Sequence, residues 1–351
     1  LNYDQRMIRI CTSLANEGYD VTLVGRKKRN SLPLENNPFQ QKRLYCFFEK
    51  GKLFYIEYNI RLFIYLLFAK ADGICAIDLD TIVPCLWIST LKRIPRIYDA
   101  HELFCEMKEI SSRPIIYKIW KWIEKYSVSK FNNCYTVNLI IAEEFRKLYN
   151  INFEVIRSIT ILNENKFAQP KEKFILYQGA VNEGRSFETL IPAMKIINSK
   201  LIICGDGNFM QQAKELCRIH QVEDKVIFKG MLSPVALQEI TSRSYIGITL
   251  FEKGAKSNYY SLANRFFDYI HSGTPQICAD YPLYHELNKK YDIAVLIDDL
   301  EPDSIALVAN RLLDDESLWK ALHENCKTAA KELCWQNEEK TLIAFYKKIF
   351  G

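Results

Sequence analysis

The chain has 351 residues, 48% hydrophobic and 25% charged, which is material for two ordinary cores and excludes long disorder. The formal net charge of +5 is unevenly spread: 24 Lys/Arg face 18 Asp/Glu through Asn165, and 23 face 24 beyond it. A moderately basic N-terminal half suits an anionic membrane surface or an acidic acceptor, whereas the lack of a dense basic stripe or recognition motif argues against nucleic acid.

Eleven cysteines, an odd number, form no CxxC and no Cys/His cluster. Several, such as Cys204 in LIIC and Cys278 in PQIC, sit in apolar runs where a free thiol acts as a small buried hydrophobe. That pattern points to a reducing cytoplasm and away from disulfides or zinc. The most apolar stretch, residues 62–69, is bounded by Arg61 and Lys70 and is too short to span a bilayer. The expected location is therefore cytoplasmic, with the basic half peripheral on the inner face of the membrane.

The first element reads as a helix with apolar Met7, Ile10 and Leu14, closed by Gly18 and followed by a strand at 21–24. A doubly wound domain normally opens with a strand, so its first strand is expected upstream of Leu1. Further strands are predicted at 43–48, 73–78, 96–99, 133–137 and 153–156, with helices clearest at 55–68, 114–130 and 139–149. A polar stretch at 163–173 containing Pro170 reads as a linker. A second series follows, with strands at 174–178, 201–204, 226–229, 246–250, 276–279 and 294–297. Its helices are predicted at 187–197, 209–220, 262–271 and 304–313, and two more, at 318–333 and 338–349, close the chain. Such alternation builds parallel sheets from βαβ units. The expected fold is α/β, with two doubly wound, Rossmann-like domains facing a central cleft. The N-terminal domain is expected over 1–165 and the C-terminal domain over 166–333, with a last helix, 334–351, packing back on the first domain.

Ligands of such folds sit beyond the carboxyl ends of the strands, so the loops there are searched for chemistry. IPRIYDAHELFCE places Asp99, His101 and Glu102 after a short apolar strand. A histidine between two carboxylates suits polar contact with a substrate, although a structural histidine reads the same way. In the helix at 114–130, Lys118, Lys121, Lys125 and Lys130 accompany Trp120 and Trp122, as on a membrane-surface helix. Ile115, Ile119, Trp122 and Tyr126 nevertheless recur at core spacing, which favours an ordinary packed helix.

In the second half, the strand at 174–178 runs into GAVNEGR, where Gly179 and Gly184 permit a tight turn and Arg185 stands at a helix start. That arrangement suits an anion, the alternative being a plain turn with a surface Arg. LIICGDGNFM carries Gly205 and Gly207, but position 210 is Met where a dinucleotide fingerprint needs Gly, so the segment reads as a turn lining the cleft. SNYYSLANRFFDYIHSGTPQICAD is the most informative segment. Helical spacing brings Ser261, Asn264, Arg265 and Asp268 near one face, with Leu262, Phe266, Tyr269 and Ile270 as a buried stripe. A phosphate near Ser261, Leu262 and Ala263 would meet free N–H groups and the positive end of the helix dipole. Asp268 could accept from ribose hydroxyls, the alternative being a surface Arg265–Asp268 ion pair.

Taken in this order, these loops resemble the retaining glycosyltransferases of family 4, the "group 1" glycosyltransferases of GT-B fold, over nearly the whole chain. YQGAVNEGRSFETLIPAM is similar to the first strand, loop and helix of their donor domain, and LIICGDGN and VIFKGML to their G-x-G turn and F-x-G strand end. SLANRFFDYIHSGTPQICAD resembles their acidic-motif helix and following strand, and YDAHELF their His-Glu loop. The resemblance implies a nucleotide-sugar donor, a saccharide or lipid-linked acceptor, and transfer without a metal or other cofactor. By position it assigns His101, Arg185 and Asp268 to catalysis: Arg185 on the donor diphosphate, Asp268 on the ribose, and His101 lining the transfer site with Asp99 and Glu102 on the acceptor side. It places Gly179, Gly205, Gly207, Ser261, Leu262 and Ala263 along the donor, with Gly230, Met231 and Leu232 bordering the base. The chain departs from the family at Tyr260, where a glutamate is frequent, and at Ala180, where an Arg is common. Those departures keep a second reading open, a nucleotide-sugar-binding subunit without catalysis, beside a third, another GT-B enzyme such as a sugar-nucleotide epimerase.

Overall fold

The computed structural model describes residues 4–29, 31–164, 167, 169–253 and 256–351. The chain divides into two compact units, one of residues 1–158 with 337–351, the other of residues 159–336. The boundary expected at 165/166 lies outside the described residues.

In the first unit the strands are β1 (Thr22–Lys27), β2 (Gln40–Tyr45), β3 (Ile74–Ile77), β4 (Arg96–Ala100), β5 (Asn133–Thr136) and β6 (Glu154–Val155). All pairings are parallel, in a two-stranded sheet β1-β2 and a four-stranded sheet β3-β4-β5-β6. Tyr98 on β4 packs its ring against Phe131, Phe145 and Phe153, which centres the core under the four-stranded sheet. The helix Gln5–Asn16 is tied to that sheet by Arg6, which is buried and donates to Asp99 Oδ1 (2.9 Å) and to the Ile156 carbonyl (3.0 Å). Residues 337–351 complete the unit. Phe345 and Tyr346 meet the ring of Tyr135, and Phe350 occupies the space beside Gly73, where an added Cβ would lie 2.4 Å from its ring.

In the second unit β7 (Glu172–Gln178), β8 (Lys200–Cys204), β9 (Val226–Gly230), β10 (Ser244–Thr249), β11 (Gln276–Ala279) and β12 (Ala294–Ile297) form one parallel sheet of order β12-β11-β10-β7-β8-β9. β10 and β11 are buried along their whole length, as central strands covered on both faces must be. The winding reverses between β7 and β10, and in doubly wound sheets that switch point marks the crevice where ligands bind. The fold is thus α/β with parallel sheets, as expected.

Each of the twelve predicted strands overlaps an observed one. Three helices that the periodicity did not single out, Ile82–Lys92, Pro234–Arg243 and Pro282–Tyr291, carry a proline within their first turn. A missing N–H costs nothing there, so the residue that elsewhere breaks a helix starts one.

One expectation is reversed. In the helix Pro114–Ser127 the stripe expected in the core faces solvent: Ile115 is 72% exposed, Trp122 66% and Ile119 48%. The buried side chains are instead Glu124 and Ser127. Glu124 is compensated inside by the Lys121 ammonium (2.6 Å) and the Tyr149 hydroxyl (2.5 Å), so a carboxylate can occupy the inner face. Periodicity identifies a face of a helix but not the side on which it lies.

All eleven cysteines are free, ten of them buried. Among the described residues no helix is long and apolar enough to cross a membrane.

Candidate functional site

At the switch point of the second unit, β7 ends in Gln178 and the chain turns through Gly179 (φ 120°) into the loop that carries Arg185. Its neighbour β10 ends at Thr249 and is followed by Leu250 and Phe251, both buried. Arg185 lies over the Phe251 ring, 4.6 Å from its centroid, and donates to Asn258 Oδ1 (3.3 Å). Asn258 in turn donates to the Gly184 carbonyl (3.4 Å), which also accepts from the Glu252 N–H (3.1 Å). The guanidinium is thereby held over the loop between two glycines of positive φ, Gly179 and Gly184.

The G-x-G turn is bound to this loop by close backbone contact. An added Cβ on Gly205 would lie 1.8 Å from the Gly179 carbonyl oxygen, and one on Gly207 would lie 2.3 Å from that of Val181. The Gly179 and Val181 N–H groups donate to the Cys204 and Asp206 carbonyls (2.9 and 3.1 Å), and Asn208 N–H donates to Asn182 Oδ1 (3.1 Å). Gly205 and Gly207 are therefore required by the approach of two loops, whatever else they contact. Gly205 N–H also donates to the Gly230 carbonyl (2.8 Å), which ties in the third loop; there Met231 is exposed and Leu232 half-buried.

The helix after the SLAN segment begins at Asn264 and runs to His271, with Ala263 as its N-cap. Ala263 has no side-chain oxygen to offer the helix end, and its own N–H is taken by the Tyr284 hydroxyl (3.0 Å), so it is not the free donor expected there. Ser261 binds the Asn258 carbonyl through its hydroxyl (2.8 Å) and its N–H (3.2 Å). The alternative of an Arg265–Asp268 ion pair is overturned. Asp268 accepts from Thr160 Oγ1 (2.5 Å) and from Gln178 Nε2 (2.7 Å), while Arg265 is buried against Tyr177 and Phe251. Gln178 is itself fixed by Thr241, whose hydroxyl lies 2.6 Å from its Oε1. Thr160, Gln178 and Phe251 carry no sequence signature of this role, since each acts through contacts distant along the chain.

In the first unit the His-Glu loop closes a charged chain that the sequence shows only in part. His101 Nε2 lies 3.1 Å from Asp99 Oδ2 and Nδ1 lies 3.2 Å from Asp78 Oδ2, so both ring nitrogens are committed to carboxylates. Its backbone N–H donates to Asp78 Oδ1 (2.9 Å), and Asp78 holds an unusual positive φ of 54° to reach it. Arg6 supports Asp99 from the other side. Glu102 is half-buried beside this chain, its carbonyl accepting from the Phe104 N–H (2.9 Å). The missed members, Asp78 and Asp80, stand in IDLDT just after a strand, a signal as good as the one that marked Asp99.

Burial opposes ionisation of Asp99, but Arg6 and His101 outweigh it and hold its pKa down at about 2. Burial likewise disfavours the imidazolium, yet Asp99 and then Asp78 push His101 up to about 9. Burial, with Asp78 second, pushes Asp80 up to about 7. At neutral pH His101 is thus a cation with two donated protons, a geometry suited to positioning and unsuited to accepting a proton.

A pKa raised by folding stabilises fully below the unfolded value of about 6.5, and that contribution is lost as pH rises through about 9. The His101 ring is therefore expected to titrate near 9 by NMR, and resistance to urea should fall between neutral pH and that value. Asp78→Asn should move the titration back toward neutrality. A parent midpoint in the ordinary histidine range would refute this account.

Residues 159–333 match the family "Glycosyl transferases group 1". The chain is 25% identical over 178 residues to the O-antigen chain mannosyltransferase RfbU of Salmonella typhimurium, covering 48% of each. It spans about half the length of the curated relatives it matches. Among solved structures it resembles sucrose-phosphate synthase from Thermosynechococcus elongatus, with TM-score 0.76, 16% identity and coverage of 97% of this chain and 92% of that one. It also resembles Anabaena HepE in complex with UDP and glucose, with TM-score 0.74, 11% identity and coverage of 97% and 95%. These likenesses assign the GT-B glycosyltransferase fold, and residues 159–333 are a domain of the glycosyl transferases group 1 family.

Proposed function

We propose that this chain is a retaining glycosyltransferase of family 4. It would move a sugar from a UDP- or GDP-linked donor to a saccharide or lipid-linked acceptor, in cell-surface polysaccharide or glycolipid synthesis. The observation that carries this reading is the position of Arg185, fixed over Phe251 at the switch point of the sheet in the domain that matches the family. A planar guanidinium there can grip a diphosphate and stabilise the charge that develops as it leaves, the service a metal ion gives elsewhere. The UDP and glucose of HepE and the O-antigen chain of RfbU support a nucleotide-linked donor and a saccharide acceptor.

In this reading Gly230, Met231 and Leu232 border the base and Asp268 receives the ribose. Both Asp268 oxygens already accept one hydrogen bond, and each has a further lone pair to offer. Thr160 and Gln178 then serve to aim the carboxylate. With no carboxylate nucleophile required, the acceptor attacks on the face from which the phosphate departs. His101, its nitrogens spent on Asp78 and Asp99, holds the acceptor-side loop in place as a positioning residue.

A charge-assisted contact of the Arg185 kind is worth about 1.5–3 kcal/mol. Arg185→Ala is therefore expected to weaken UDP or GDP binding by about tenfold to a hundredfold while uridine or guanosine binding stays unchanged, read by calorimetry. A parent protein that binds neither nucleotide would remove the donor site altogether. Asp268→Asn is expected to weaken ribonucleotides and to leave a 2′,3′-dideoxy analogue unaffected; equal losses for both would make the residue purely structural.

A peripheral seat on an anionic lipid surface belongs to the same reading. Ile115, Lys118, Ile119, Trp122 and Lys125 share one exposed face of the helix Pro114–Ser127, apolar groups beside cations, as on a helix that lies in a membrane interface. Sedimentation with vesicles rich in anionic lipid should show binding at low salt that fades at high salt and weakens in Trp122→Ser. Binding that is absent, or indifferent to salt, would leave a protein without this attachment.

A further inference from the structure

Arg265, the second residue of the helix Asn264–His271, is only 8% exposed. Its guanidinium lies between two aromatic rings, 4.6 Å from the centroids of both Tyr177 and Phe251. Its hydrogen bonds are two long ones from Nη1, to the Tyr177 hydroxyl and the Gln178 carbonyl, each 3.4 Å. Nε and Nη2 have no partner. The carboxylate three residues on, Asp268, is turned to Thr160 and Gln178 instead. A buried cation held by ring faces and long contacts to one hydroxyl and one carbonyl is under-compensated, and such a charge is costly unless something else balances it.

Its position indicates what does. Nη1 lies 3.3 Å from where a Cβ on Gly179 would stand, so the guanidinium sits directly behind the turn that leaves β7 at the switch point. The turn supplies no cation of its own, since the residue after Gly179 is Ala180. Arg185 approaches the same Phe251 ring, also at 4.6 Å. Two guanidinium groups against one ring repel each other, and an anion between them or over the turn removes that repulsion. The N-terminus of the eight-residue helix adds its dipole at the same place. An acidic side chain also stands on this side of the sheet: Glu252 Oε2 lies 4.0 Å from where a Cβ on Gly184 would stand, on the Arg185 loop.

We infer that Arg265 is the second cation of the donor's diphosphate seat, placed under the Gly179 turn where it balances the phosphate that Arg185 grips from the loop. This rests on the donor reading given above and deepens it, since it makes the seat specific for a pyrophosphate rather than for a single phosphate.

The test is calorimetry of the whole chain with UDP and uridine, and with GDP and guanosine in parallel, on the parent, Arg265→Gln and Arg265→Lys, together with Tm values without ligand. Arg265→Gln is expected to lose at least tenfold in nucleoside diphosphate affinity, to bind the nucleoside as the parent does, and to show an unligated Tm no lower than the parent's. Arg265→Lys, which keeps the charge, is expected to retain most of the diphosphate affinity. Parent-like diphosphate binding by Arg265→Gln overturns the inference and leaves the donor site standing. A Gln variant that unfolds or melts well below the parent, with the Lys variant no tighter for diphosphate than for nucleoside, also overturns it, because the cation then serves the fold. A parent that binds neither nucleotide overturns the donor reading itself.

Discussion

The reversal of winding between β7 and β10 is the constraint on which the second unit depends. Where the connections to left and right of a parallel sheet diverge, the carboxyl ends of two adjacent strands are left uncovered by a crossing helix. Gly179 and Phe251 stand at those two ends, and two cations of the unit meet there: Arg185 from the loop, Arg265 from the helix that returns over the sheet. Arg265 is held by aromatic faces rather than by a carboxylate, with Nε and Nη2 left without a partner, so its charge is largely unspent. A carboxylate beside Arg265 would have made a tidier apo protein and a poorer anion site.

The first unit solves the opposite problem, a surplus of acid. Asp78, Asp80 and Asp99 gather at the ends of neighbouring strands, and two cations reconcile them, Arg6 from the opening helix and His101 from the loop beyond β4. The ordering of the loop, the protonation of the histidine and the seating of the helix are one arrangement. Removing any member leaves a buried charge without its complement, which costs more than the lost contact alone.

Strands were the most legible feature of the sequence, because β-branched and aromatic runs bounded by turn residues leave little else for the backbone to do. The donor loops were legible for a related reason: glycines mark places where the backbone needs positive φ or close approach, as at Gly179, Gly184 and Gly205. Less was visible wherever the outcome turned on which side of a helix faced inward. Arg265 and Asp268 stand three apart and read as a pair, yet Arg265 at the start of its helix points back beneath β7 while Asp268 reaches Thr160 and Gln178. The stripe at Ile115, Ile119 and Trp122 has core spacing and lies in solvent, because Glu124 found Lys121 and Tyr149 on the inner side. Arg6 left no local pattern because its partners, Asp99 and Ile156, are distant along the chain, whereas Asp78 stands in a loop after a strand just as Asp99 does.

The interlocking of the GAVN loop with the G-x-G turn has a consequence for how this protein can change. With the Gly205 α-carbon seated on the Gly179 carbonyl and Gly207 on that of Val181, neither loop can be lengthened, bulked or re-aimed alone. The two are inherited as one module, so a new specificity at this end of the sheet must come from residues that line the module without belonging to it. A chimaera that imports one loop from a relative has to import its counterpart as well.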